Sequence, residues 1–165
     1  MNHNYHGNRG PYHGHRRHDG RGGQGSGGRG GRGDVPLTLP VGYLAQGYFD
    51  ENGHPYKMLF IGWPEELAEK LKQGANAMTA SALRNFYNEA RTIETIAEGL
   101  AFEHVRERIW KLKARAHYSS QRKTGNTPLL FVQFIEANLP HAEQSLKAYK
   151  TFVSHFECVV AYFKE

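Results

Sequence analysis

Residues 79–99 read TASALRNFYNEARTIETIAEG, and this stretch decides the fold class. Its apolar residues Leu83, Phe86, Tyr87, Ala90, Ile93 and Ala97 recur at i, i+3, i+4 and i+7. That spacing is one face of an α-helix, not the alternation of a strand. Thr79 or Ser81 supplies an N-capping hydroxyl, and Gly99 marks the end. The same period governs the chain on its C-terminal side. A helix over about 101–122 carries Phe102, Val105, Ile109, Leu112 and Ala116 on one stripe, and Gly125-Asn126 ends it. Thr127-Pro128 caps a fourth helix, which Pro140 is expected to terminate, since proline removes a backbone bond and crowds the preceding turn. A fifth, over about 141–163, aligns Tyr149, Phe152, Val153, Phe156, Val160 and Phe163. On the N-terminal side, Pro64 suits a first helical position, Glu65 and Glu66 complement the helix dipole, and Gly74 stops that helix.

Five helices with short connections and no convincing series of strands predict an all-α domain, a compact bundle spanning 63–165. Residues 36–62 read as a linker and aromatic loop. Asn52-Gly53 is a tight-turn signal within it, compatible with a short hairpin of Tyr48 and Phe49 against Met58 to Ile61. A loop whose aromatics pack onto the helices is the preferred expectation.

The first 35 residues have a different texture. They hold 12 of the 19 glycines, five of the ten histidines and six arginines, with two aspartates, and no Leu, Ile or Phe. So little apolar surface cannot offset chain entropy, and a disordered Gly/Arg/His-rich tail is expected. Its charge is +4 (six basic, two acidic), which leaves +1 of the total +5 for the rest. The folded part therefore does not announce nucleic acid by net charge, and any such surface must come from segregating charge onto one face. Gly20-Arg-Gly-Gly and Gly28-Arg-Gly-Gly-Arg32-Gly have the form of RNA-associating Arg-Gly-Gly segments, or of a solubilising linker.

Turning the second helix at about 100° per residue brings Arg84, Asn88, Arg91 and Thr95 into one stripe opposite the apolar face. In the third helix Arg108, Lys111, Arg115 and Arg122 share the side away from the apolar stripe, with Tyr118 among them and Lys123 following. Cations repeated at helical spacing suit a phosphate backbone. A charged outer face is also how helices meet water, usually through pairing along the helix.

Other chemistry finds little support. A single cysteine, Cys158, excludes a disulfide framework and a multi-cysteine zinc site, and fits a reducing cytoplasm. No apolar run approaches the roughly 18 residues of a membrane span, and no apolar leader opens the chain. His117 and His155 read as packing residues, and no fixed geometry supports a metal among the tail histidines. Phosphate-loop, metalloprotease and nucleophile-elbow motifs are missing. No catalysis, cofactor or metal is expected.

Three blocks carry a family resemblance. Residues 79–91 resemble the capped Leu-Arg-x-Phe-(Tyr/Phe) helix of the small helical subunit of the type III-A CRISPR RNA-guided effector, the Csm complex. Residues 112–118 (LKARAHY), followed by Arg122, resemble its Leu-Lys-Pro-Lys-x-x-Tyr…Arg block. Residues 152–162 resemble its closing Phe…Phe-Glu segment, and the Gly47-to-Gly53 opening is also similar. The resemblance spans about 45–165. It implies a non-catalytic, antiviral-defence protein whose copies associate along the particle, beside the repeated backbone subunits and the large polymerase-like subunit, and help hold the duplex of guide RNA and target RNA. By motif position it implies that Arg84, Arg91, Lys113, Arg115 and Arg122 face RNA or neighbouring subunits. Helical phase puts Lys113 nearer the apolar side, so a kink around Ala114 would be needed to turn it outward. Ala114 itself stands where the family often has proline, and the tail has no counterpart there.

Overall fold

The computed structural model describes residues 37–74, 76–122 and 127–163. Five helices run α1 (Trp63–Leu71), α2 (Ala80–Gly99), α3 (Arg106–Gln121), α4 (Leu129–Ala142) and α5 (Leu146–Tyr162), and no strand occurs among the described residues. The all-α bundle expected from the sequence is the observed fold. The expected tail falls outside the described residues.

Local signals explain most boundaries. The Thr79 hydroxyl accepts the Ala82 amide at 3.2 Å and so caps α2. Gly62, at a φ of 97° that side chains disfavour, turns the chain into α1 with Pro64 in its first turn. Helix α3 begins at Arg106, after a 3-10 turn at Phe102–Val105, and not near residue 101 as the spacing suggested. Two further boundaries, at the α4–α5 junction, also differ from the sequence expectation. Pro140 lies inside α4, which continues to Ala142 because the Glu143 amide still bonds the Leu139 carbonyl at 3.0 Å. A proline in a last turn removes one bond without reaching those on either side, and here the ring is exposed. Helix α5 consequently starts at Leu146, where Ser145 accepts the Ala148 amide at 3.1 Å as an N-cap. Thr127 gives α4 no side-chain cap; it is buried and bonded to Ser119 at 2.7 Å.

Helix α5 is central, packing against α1, α2 and α4, while α3 packs on α4 and along the edge of α2. The core where they meet is aromatic. Phe131, Phe134, Tyr149, Phe152 and Phe156 are fully buried, and their rings follow one another at centroid distances of 5.2–6.2 Å. Val159 takes the core position on α5 that the sequence suggested for Val160, which is half-buried.

Residues 37–62 close one end of this core. The segment turns at Asp50, whose Oδ1 accepts the Asn52 and His54 amides, and Gly53 adopts a φ of 76° there. The turn is pinned by a single bridge between Phe49 and Pro55. Leu44, Tyr48 and Leu59 are buried, so the loop packs its apolar side onto the helices as expected.

A polar clasp holds it there. His155, fully buried on α5, lies 2.5 Å through Nδ1 from the Leu59 carbonyl and 2.7 Å through Nε2 from the Tyr43 hydroxyl. A carbonyl can only accept, so Nδ1 carries the proton and Nε2 accepts from Tyr43. The Tyr43 oxygen in turn accepts from Asn138 Nδ2 at 2.8 Å, and Asn138 Oδ1 accepts from the Tyr48 hydroxyl at 2.8 Å. Every donor in the chain thus points one way. Burial lowers His155 to a pKa of about 4, because a charged imidazolium would lose its hydration and would also reverse one link of that chain.

Candidate nucleic-acid interface

Helices α2 and α3 lie side by side, joined by the short stretch through Leu100 and Ala101 and a 3-10 turn at Phe102–Val105. They run antiparallel, since Arg115 near the end of α3 reaches back to Glu89 in the middle of α2. The groove between them has a volume of about 560 Å³, with Glu89, Thr92 and Ile96 on the α2 side and Arg108, Lys111 and Arg115 on the α3 side. The α3 stripe therefore flanks this groove. On α2, Arg84, Asn88, Arg91 and Thr95 are all exposed on the adjoining outer ridge, as their spacing requires.

The electrostatics of this face are not those of bare cations. Arg115 is paired with Glu89 and lies over the Phe86 ring, 5.1 Å from its centroid. Arg91 bonds Glu94 at 2.5 Å, and Lys111 bonds Glu107 at 2.5 Å. Lys113 lies 3.1 Å from Glu136 on α4, whose Oε1 also accepts from His117 Nε2 at 2.9 Å. Those two donors, His117 first, hold the Glu136 carboxyl below the usual range; Lys111 does the same for Glu107 through a hydrogen bond and its charge. Arg84, Arg108 and Arg122 are exposed, and none has a carboxylate partner among the described residues. Lys123 lies outside the described residues.

Lys113 needs no kink to face water. Helix α3 is continuous through Ala114, and the lysine projects from the flank nearest α4, where its stem lies along the boundary and its ammonium meets Glu136. Turned at about 100° per residue, α3 thus carries two basic flanks, Arg108, Lys111 and Arg115 toward α2 and Lys113 with His117 toward α4. Between them runs an exposed ridge of Trp110, Ala114 and Tyr118.

Sequence spacing identifies the cations but not all the carboxylates that answer them. Arg91–Glu94 and Lys111–Glu107 are spaced for pairing along one helix, so the sequence itself displays them. Arg115–Glu89 and Lys113–Glu136 join different helices, and no local pattern announces them. Trp110 carries no charge and so leaves no mark in a basic stripe.

Among the described residues no three His, Cys, Asp or Glu side chains come together to hold a metal ion. None of the described helices is long and apolar enough to cross a membrane. Cys158 is a partly buried thiol, pushed up in pKa by that burial. No curated protein and no solved structure matches the chain. Residues 57–165 match the model of the family Csm2 Type III-A, which covers all five helices and leaves the half-buried Tyr43 and the buried Tyr48 of the clasp outside the match. The chain belongs to the Csm2 family, the small subunit of the type III-A CRISPR effector, the Csm complex.

Proposed function

We propose that this subunit holds the duplex of guide RNA and target RNA without catalysing a reaction, through the outer face of α2 and α3. The observation that carries the reading is that Arg108, Lys111 and Arg115 of α3 line one groove while Arg84 and Arg91 stand exposed on the outer face of the adjoining α2. Arg84, Arg108 and Arg122 are free of carboxylates among the described residues. Donors that recur along a helix contact phosphates and read duplex shape, not base sequence. Arg91, Lys111, Lys113 and Arg115 are the second rank. Each exchanges a glutamate for a phosphate on binding. For Lys111 and Lys113, whose pairs are exposed, this is inexpensive because such pairs are worth only about 0–1 kcal/mol. Arg91 and Arg115 leave the less exposed carboxylates Glu94 and Glu89. Copies of the subunit associate along the particle, in the cytoplasm, beside the repeated backbone subunits and the large polymerase-like subunit.

Changing Arg84 and Arg122 together to alanine tests this. Both are exposed, so stability should move by no more than about 0.5 kcal/mol. Removing one cation from a phosphate should flatten the log–log salt dependence of duplex binding by roughly 0.7–0.9. A fall in RNA retention with a shallower slope is expected. Unchanged affinity with an unchanged slope would overturn the assignment.

One observation favours a second reading, a structural adaptor that binds only protein: four of the basic residues already hold glutamates of the same chain. Isolated protein that fails to shift an RNA duplex even at low salt would favour the adaptor.

A further inference from the structure

The ridge of α3 is left unused by duplex binding. Helix α3 and the turn before it bury Val105, Ile109, Leu112 and Ala116. Its opposite side presents Trp110, 54% exposed, and Tyr118, 68% exposed. Eight residues at 1.5 Å each separate the rings by about 12 Å along the axis, and the small, exposed Ala114 lies midway. Among the described residues neither ring stacks on another aromatic side chain. Trp110 is nevertheless held in place, because its indole N–H donates to the Glu143 carboxylate at the end of α4.

Two large rings exposed on one ridge call for a partner, and their neighbours say which. Lys111, Arg115 and Arg122 flank the ridge on one side and Lys113 on the other. An apolar protein surface seated there would strip water from these charges, at a cost even for Lys111, Lys113 and Arg115 in their existing pairs with Glu107, Glu136 and Glu89. A base-paired duplex would satisfy the charges but keeps its bases stacked inside, so the rings would meet nothing of their own kind. Unpaired RNA satisfies both. Its bases offer flat π-faces to aromatic side chains, and its phosphates lie within reach of flanking cations.

We propose that the Trp110–Ala114–Tyr118 ridge of α3 is a stacking site for unpaired RNA bases, with Lys111, Arg115 and Arg122 holding the adjoining phosphates. The two rings provide two stations, and Ala114 leaves the space between them open for the strand to pass. This inference rests on the proposed RNA-binding role and narrows it. The same face takes paired RNA along the α2–α3 groove and unpaired nucleotides on the ridge.

The test uses the full chain and three probes: a single-stranded oligouridylate, an abasic ribose-phosphate strand of equal length, and a blunt RNA duplex. Base–aromatic stacking is worth about 1–3 kcal/mol per base, or roughly 5- to 150-fold in affinity. Trp110→Ala with Tyr118→Ala should weaken oligouridylate binding at least about tenfold while abasic and duplex binding change less than about twofold. Trp110→Phe with Tyr118→Phe should restore most of the loss, since a ring remains. Equal losses on the oligouridylate and abasic strands would overturn the stacking site and leave only electrostatics. Wild-type oligouridylate affinity in the alanine variant, with failure of that variant to enter the assembled effector, would overturn it in favour of a protein partner. Duplex binding sensitive to Arg84 and Arg122, alongside no binding of oligouridylate, would overturn this inference while the duplex-holding role stood. Binding of none of the probes would overturn both.

Discussion

Replacing Phe134 with alanine is expected to destabilise the domain by about 3–5 kcal/mol, the range for removing a buried aromatic side chain and leaving part of its volume empty. Phe134 is fully buried, and its ring meets those of Tyr43, Phe131, Phe152, His155 and Phe156 at centroid distances of 5.2–6.5 Å. It therefore joins the closing loop, α4 and α5 at one point. Little collapse can fill the space, because the neighbouring rings are fixed by each other. Against a typical total of about 5–15 kcal/mol, this is a large fraction. Urea denaturation checks it, with Leu129→Ala as the control. Leu129 is exposed on the same helix and should cost less than about 0.5 kcal/mol. A destabilisation by Phe134→Ala no larger than that of the control would contradict this packing.

The second large effect is a dependence on pH. His155 is depressed to a pKa of about 4 in the folded protein, against an ordinary value of 6.5. Below 6.5 the unfolded chain takes up a proton that the folded chain does not accept until about 4. Stability is therefore full above 6.5, falls as the pH drops through the window from 6.5 to 4, and levels out below it with respect to this group. At about 1.36 kcal/mol per pH unit for one proton, the stability given up between pH 7 and pH 5 is about 2 kcal/mol. His141, lowered by burial, acts in the same direction. The lowered carboxylates Glu136, Glu107, Glu98 and Asp50 act at lower pH, below their ordinary range. Comparing wild type with His155→Gln isolates the contribution, because glutamine cannot titrate. A shallower slope between about pH 7 and 5 in the variant is expected. Equal slopes would show that the imidazole is not held neutral by the clasp.

The fold is largely legible in the sequence because helices leave periodic traces. Leu83, Phe86, Ala90, Ile93 and Ala97 on α2 are buried as their spacing requires, and Thr79 caps where a hydroxyl precedes the pattern. The α4–α5 junction departs from the sequence expectation because Pro140 is a strong local stop signal and Ser145 a quieter start. In the last turn of a helix already held by packing, that proline costs one bond and ends nothing. The clasp is illegible for a different reason. His155 and Tyr43 are 112 positions apart, and nothing local to either says that a buried hydroxyl waits for an imidazole. The same limit applies to the interface. Phase alone places Arg84, Asn88 and Arg91 on the outer face, but the pairing of Arg115 with Glu89 depends on how two helices pack.

That pairing shapes how the interface should behave. If α2 and α3 hold the duplex as proposed, a face whose cations are partly neutralised by its own glutamates, on a chain near +1 beyond residue 35, should bind RNA weakly as a single copy. On that proposal, affinity would come from several copies acting together along one duplex, where each bound copy raises the effective concentration of the next. On the same proposal Arg84, Arg108 and Arg122, which hold no carboxylate among the described residues, would make first contact with phosphates.

Protein–RNA crosslinking in the assembled effector, with the crosslinked peptides mapped to residues, tests the central assignment most directly. Crosslinks are expected within 80–99 and 106–122, on the outer face of α2 and along α3. Crosslinks confined to residues 1–36, with none on these two helices, would contradict it.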